Sequence, residues 1–277
     1  MTNLTIRQKD KEAGRGRFRG IEIAYDDVGS GPAVVLLHGF PFNRSMWRDQ
    51  LAQLSQHHRV LVPDLRGHGE SEVTPSPATM EDMALDVAAF MEHSNITRAT
   101  IAGLSMGGYV ALAFYRLFPL RVRALVLADT RAQADTEEGK QNRAVQAERV
   151  LAEGMEGIAD AMLPKLLAPE TVAKRANIVR RVRDMMVQTR PEGAAAALEG
   201  MAQRRDQRAF LSRIISPALI IVGREDALTP VADAEIMHKE IGGSRLAIIE
   251  GAGHVSNLER PEEFNRALLK FVNDVEA

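Results

Sequence analysis

Ser105 stands between two glycines in Gly103-Leu104-Ser105-Met106-Gly107, where the apolar run Thr100-Ile101-Ala102 gives way to a helical pattern through Tyr109, Leu112, Ala113 and Phe118. A strand that turns sharply into a helix leaves little room at the corner. Glycines two positions away on either side let the two elements pack while the serine hydroxyl projects outward. The helix start brings partial positive charge and a free N–H at Met106, which suits an oxyanion developing on an attacked carbonyl. A serine hydroxyl is a weak nucleophile at neutral pH, so it needs a base within hydrogen-bond reach and a third group to orient that base.

The sequence offers seven histidines. His57, His58, His93 and His238 fall within or beside helical patterns, where solvated or capping roles are ordinary. His254 instead follows the apolar run 246–249, in the loop Gly251-Ala252-Gly253-His254. That is the carboxyl end of a predicted parallel strand, where open α/β sheets carry their sites. Asp226, in Gly223-Arg224-Glu225-Asp226-Ala227-Leu228-Thr229-Pro230, holds the same position after the run 218–222. Asp129, after 124–127, competes for the role of acid, and Glu225 is a third candidate. The chain order Ser105, Asp226, His254 matches a serine–acid–histidine arrangement without rearrangement, which favours Asp226.

The elements that would position these residues are short runs rich in Val, Ile and Leu alternating with helical patterns, as buried parallel strands read. Strands are predicted at 33–37, 60–62, 100–102, 124–127, 218–222 and 246–249, helices at 79–94, 106–118 and 261–274, and an antiparallel opening strand at Ile21 to Tyr25. An amphipathic stretch runs from Ser45 to Gln56. Between Thr130 and Phe210 the strand signal stops, and spacings such as Met155, Ile158, Met162 and Leu166 predict a helical insertion. Its basic clusters, such as Arg180, Arg181 and Arg183, are nearly balanced by local acids and read as solvated faces.

Composition narrows the chemistry further. Thirty-five Lys and Arg against thirty-seven Asp and Glu give a net charge of -2, which leaves no field to attract nucleic acid or an anionic membrane. Zero cysteines remove disulfide scaffolds, thiolate metal sites and cysteine nucleophiles together. Motifs for phosphate loops, zinc proteases and dinucleotide turns are absent, so neither a metal nor a nucleotide cofactor is expected. Met1 to Arg19 is charged and lacks an apolar segment of the kind that directs export, which makes a cytoplasmic location the default expectation. Every apolar run is too short to span a bilayer.

Taken together, these motifs resemble the α/β-hydrolase family over nearly the whole chain outside the insertion and the first eighteen residues. His38-Gly39-Phe40-Pro41 is similar to the family's oxyanion loop, and Asp64-Leu65-Arg66-Gly67-His68-Gly69-Glu70-Ser71 to its characteristic turn. The resemblance implies a mostly parallel eight-stranded sheet flanked by helices, formed by residues 1–129 and 211–277, with a helical cap at 130–210. It implies Ser105, Asp226 and His254 as a catalytic triad, the backbone N–H groups of Phe40 and Met106 as an oxyanion hole, and structural roles for His38 and His68. The cap would cover a pocket walled by residues such as Trp47 and Met162, suited to small molecules. Small carboxylesterases, 3-oxoadipate enol-lactonases and cofactor-free haloperoxidases or perhydrolases all share these features. Carbon–carbon bond hydrolases rank lower, and a hydrolase-fold receptor for a small signal lower still. The oligomeric state has no sequence signature.

Overall fold

The computed structural model describes residues 11–75 and 77–276. The opening ten residues, read above as part of a charged segment, lie outside that range. Eight strands form one sheet in the order β1-β2-β4-β3-β5-β6-β7-β8. They are β1 (Lys11–Phe18), β2 (Ile21–Val28), β3 (Ala33–Leu37), β4 (Arg59–Pro63), β5 (Ala99–Leu104), β6 (Val122–Ala128), β7 (Ala218–Gly223) and β8 (Arg245–Ile249). β1 and β2 pair antiparallel, as do β2 and β4, and the remaining neighbours are parallel.

The continuous apolar runs are buried on both faces, as parallel central strands require. In β3 every residue of Ala33–Leu37 is buried, and alternate side chains feed two cores. Val35 and Leu37 join Ile101, Leu125 and Leu127 on one face, whereas Val34 and Leu36 join Ala102 and Val126 on the other. Helices α1 (Arg48–Leu54) and α12 (Pro261–Glu276) cover the second face. Helices α2 (Met80–His93), α3 (Met106–Leu117) and α10 (Val231–Glu240) cover the first. β1 was not anticipated. Its sequence, KEAGRGRF, carries almost no apolar signal, and it is held by pairing along β2, with the Tyr25 ring lying over Gly14.

The stretch between β6 and β7 is helical as expected: α4 (Glu137–Glu153), α5 (Glu156–Leu166), α6 (Pro169–Lys174), α7 (Ala176–Val187), α8 (Pro191–Ala202) and α9 (Arg208–Leu211). Helix α8 lies directly on the core. A Cβ at Gly193 would overlap the Gly67 carbonyl, and one at Gly200 the Ala78 carbonyl, so each glycine permits a backbone-to-backbone contact that no other residue allows. Among the described residues no helix is long and apolar enough to cross a membrane.

Candidate active site

Because β3, β5, β6, β7 and β8 run parallel, the residues that follow them gather at one edge of the sheet. Ser105 follows β5 and caps α3 with φ 54° and ψ −113°, a left-handed conformation that costs on the order of 1–3 kcal/mol and persists only where its surroundings enforce it. Here they do. The Ser105 N–H donates to the Ala128 carbonyl at 2.9 Å, and its own carbonyl accepts from the Gly108 N–H at 2.9 Å and the Thr130 hydroxyl at 2.8 Å. A Cβ at Gly103 would overlap the Gly107 carbonyl, and one at Gly107 the Leu37 carbonyl, so both flanking glycines are needed for α3 to cross the strands so closely.

His254, in the loop after β8, places Nε2 2.8 Å from Ser105 Oγ. Its Nδ1 lies 2.8 Å from Asp226 Oδ2 and 3.0 Å from Oδ1. Asp226, in the loop after β7, is fixed by the N–H groups of Leu228 and Thr229 at 2.8 and 2.9 Å on Oδ1, and by the Thr229 hydroxyl at 2.7 Å on Oδ2. His254 and Asp226 are buried, 3% and 4% exposed, whereas Ser105 opens to a cavity. Burial alone would discourage charge on both groups. The attraction between them outweighs it, raising the His254 pKa above its ordinary value and holding the Asp226 carboxyl below its own.

The cavity over Ser105 measures about 260 Å³ and is lined by Phe40, Tyr109, Met162, Leu166 and Met201 together with polar groups from α4 and α5. A larger groove of about 940 Å³, bordered by Arg44, Arg48, Arg180 and Gln188, contains none of Ser105, Asp226 or His254. The backbone of Gly39 lies against the elbow, close enough that a Cβ there would sit 3.3 Å from that of Ser105. The loop therefore carries the next residue, Phe40, to the serine. His38 and His68 serve this loop's framework. His38 Nε2 accepts the Leu65 N–H at 2.9 Å, and burial pushes the two imidazoles down to about 4 and about 3, which keeps both neutral.

Of the expected pocket residues, Met162 lines the cavity and Trp47 does not. Trp47 ends a 3-10 turn leading into α1 and is 1% exposed, packed against Phe264 of α12 with ring centroids 6.1 Å apart. Its helix packs on the face of the sheet, which turns the indole into the core and away from the serine. The Met106 side chain is likewise buried in the core, leaving only its backbone near the elbow.

Two supporting residues, Thr229 and Glu259, escaped the sequence reading as such, and Asp129, a candidate for the acid there, takes a different part. Thr229 donates its hydroxyl to Asp226 and lies 3.2 Å from His254 Nδ1. Asp129 is fully buried and bonds the Gly223 N–H at 2.8 Å and the Ser256 hydroxyl at 2.6 Å, so it contacts neither Ser105 nor His254 by hydrogen bond. Glu259, also fully buried, accepts from the N–H groups of Gly253 and Ala168 at 2.7 and 2.9 Å. Arg260-Pro261 beyond it resembles an ordinary solvated helix start, and no signal marks Glu259 as internal. Among the described residues no group of three or more histidine, aspartate or glutamate side chains is arranged to hold a metal ion.

A match to the α/β hydrolase fold family spans residues 32–261. The chain belongs to that family. It is similar to a thermophilic esterase from Thermogutta terrifontis, solved with malate bound, at 40% identity and a TM-score of 0.93, covering 96% of this chain and all of that one. The enol-lactonase from Burkholderia xenovorans is 33% identical with a TM-score of 0.88, covering 94% of this chain and all of its own. 3-Oxoadipate enol-lactonase 2 from Acinetobacter baylyi is 32% identical over 86% of this chain and 87% of the relative. This α/β hydrolase is thus of the esterase and enol-lactonase type.

Proposed function

We propose that this α/β hydrolase is a serine hydrolase that cleaves a small carboxylic ester or lactone through an acyl-enzyme, without a cofactor. The observation that carries the reading is the unbroken hydrogen-bond chain from Ser105 Oγ through His254 to Asp226, opening into the cavity. Ser105 Oγ attacks the substrate carbonyl carbon while its proton passes to His254 Nε2, and the carbonyl π electrons move to oxygen. The N–H groups of Phe40 and Met106, which have no acceptor among the described residues, would receive that oxyanion. Collapse expels the alkoxide, protonated by His254, and leaves Ser105 acylated. Water, deprotonated by the same imidazole, then releases the acid and restores the serine. In a lactone the leaving alkoxide stays tethered to the acyl group, and the steps are otherwise the same.

The insertion at 130–210 acts in this reading as a cap, since Met162 and Leu166 of α5 and Met201 of α8 form the apolar side of the cavity. Such a wall excludes water and strengthens the two oxyanion contacts. Ser105→Ala should reduce hydrolysis of p-nitrophenyl acetate by about 10⁴-fold or more while leaving the melting temperature near that of the parent. Activity within about tenfold of the parent would remove Ser105 from the mechanism.

A further inference from the structure

Glu259 closes α11 (Ser256–Glu259), the short helical turn that follows His254, and its side chain is fully buried. A carboxylate in the interior is costly unless its oxygens are hydrogen-bonded. Both are, since Oε1 accepts the Gly253 N–H at 2.7 Å and Oε2 the Ala168 N–H at 2.9 Å. Burial pushes the carboxyl above the usual range, and these two N–H groups act against that rise by favouring the ionised form. The donors belong to different parts of the chain: Gly253 immediately precedes His254, whereas Ala168 joins α5 to α6. The next N–H along, that of His254 itself, donates to the Leu166 carbonyl at 2.8 Å. Two successive peptide units at the histidine are thus pinned, one by Glu259 and one by the end of α5. A Cβ at Gly253 would lie 2.8 Å from both the Leu166 oxygen and the Ala168 nitrogen, so the two backbones touch with no side chain between them.

We propose that Glu259 is a positioning residue, whose carboxylate clamps the backbone before His254 to the junction of α5 and α6 and so keeps Nε2 within reach of Ser105 Oγ. This rests on the serine-hydrolase reading of the site. Pinned peptide units fix the direction in which the His254 side chain leaves the backbone, and with it the place where the imidazole lands. The Nε2 to Oγ separation of 2.8 Å leaves little tolerance, because proton transfer needs such a pair within about 3.2 Å. A displacement of about 1 Å in a contact of this kind costs on the order of 10²-fold in rate. Glu259 does not line the cavity, so loosening the clamp should lower kcat and spare KM.

The test is Glu259→Gln, which keeps the size of the side chain but offers one acceptor where two are needed. With p-nitrophenyl acetate, kcat should fall by about tenfold or more while KM stays within about threefold of the parent's. In a His254→Ala background the same change should alter the residual rate by less than about twofold, because a residue that acts through the imidazole has nothing left to act on. A kcat within about twofold of the parent's, or an equal fractional loss with and without His254, overturns the proposal. If Glu259→Gln does not fold, Ala168→Pro tests the other arm. Ala168 has φ −58°, and Leu167 before it has φ −112° and ψ 144°, so both backbones already suit a proline at 168, and the change deletes the N–H bonded to Oε2. It too should lower kcat by about tenfold with KM held, and an unchanged kcat overturns the clamp. If the parent does not turn over p-nitrophenyl acetate, or His254→Ala does so at the parent's rate, the hydrolase reading fails instead. The clamp is then decided by proton NMR of the Nδ1–H that His254 shares with Asp226, identified by its loss in His254→Ala. A changed shift or faster exchange of that signal in either variant supports the clamp, and an unchanged signal overturns it.

Discussion

The carboxylate of Asp129 accepts the hydroxyl of Ser256 at 2.6 Å, two residues beyond His254. Its other oxygen takes the Gly223 N–H at 2.8 Å, three residues before Asp226. A single buried side chain at the end of β6 thus braces the loops that carry both Asp226 and His254. The position is electrostatically expensive, since burial and the nearby Asp226 charge push the Asp129 carboxyl far above the usual carboxylate range. That separation of roles leads to the first comparison.

Asp226→Asn should lose most of kcat, by about 10⁴-fold, because the amide no longer enforces the His254 tautomer or supports its imidazolium. Asp129→Asn keeps an oxygen for the Gly223 N–H and an amide for Ser256, and should lose less than about tenfold. Steady-state kinetics on both variants decide between them. A larger loss in Asp129→Asn would transfer the acid role to Asp129.

The same residue should leave a mark on stability. Its folded pKa, raised from 3.8 to about 8, means that the folded state holds this proton more tightly than the unfolded chain. The stability it contributes is complete below 3.8 and is lost as pH rises toward 8. Asp129→Asn removes that loss, so its melting temperature should gain on the parent's progressively across this window. A constant difference between the two curves would show that the carboxyl does not titrate there.

Turnover should depend on pH through His254. Asp226 raises its pKa above 6.5 against the effect of burial, and only the neutral imidazole can accept the serine proton. The acid limb of kcat/KM should therefore have its midpoint above 6.5, and the residual activity of Asp226→Asn should show a lower one. An acid limb with its midpoint below 6.5 in the parent would contradict the pairing.

Acyl length is limited by the 260 Å³ of the cavity, which lies at the small end of ligand sites. Each methylene that fits adds up to about 0.8 kcal/mol of burial, and kcat/KM should fall once the space is full. Across p-nitrophenyl acetate, butyrate, octanoate and palmitate, the maximum is expected among the short to medium chains. A maximum at palmitate would require the insertion to open widely.

The strands of the central sheet were legible because β3, β5 and β7 are buried throughout and β6 at every residue but Arg123, and burial on both faces writes itself as short apolar runs. β1 carries no such signature, since an edge strand is held by its partner's backbone and cross-strand rings. Ser105, Asp226 and His254 could be picked out because each follows a strand whose end is marked in the sequence. Trp47 was misplaced for the opposite reason: the direction of a side chain from a short turn depends on the packing of α1 against α12, which no local pattern encodes. Glu259 looks like any other acid until the fold closes around it, and Asp129 was marked by its place after β6 but not as a brace between two loops.

The Leu166 carbonyl accepts the backbone N–H of His254 at 2.8 Å, and the Glu259 carboxylate joins Ala168 to Gly253 beside it. The end of α5 is therefore fastened to the loop that carries His254, and α8 is fastened to the core at Gly193 and Gly200. Raising α5 at that end would break the hydrogen bond between the Leu166 carbonyl and the His254 N–H. The remaining wall is the row Gly139, Asn142, Arg143 and Gln146 on α4, facing Met162 across the opening. That row is on neither the loop of Asp226 nor that of His254. Diversification there would reshape which molecules enter and how fast they leave, whereas altering residues 166–168 would trade selectivity against the chemistry it is meant to serve.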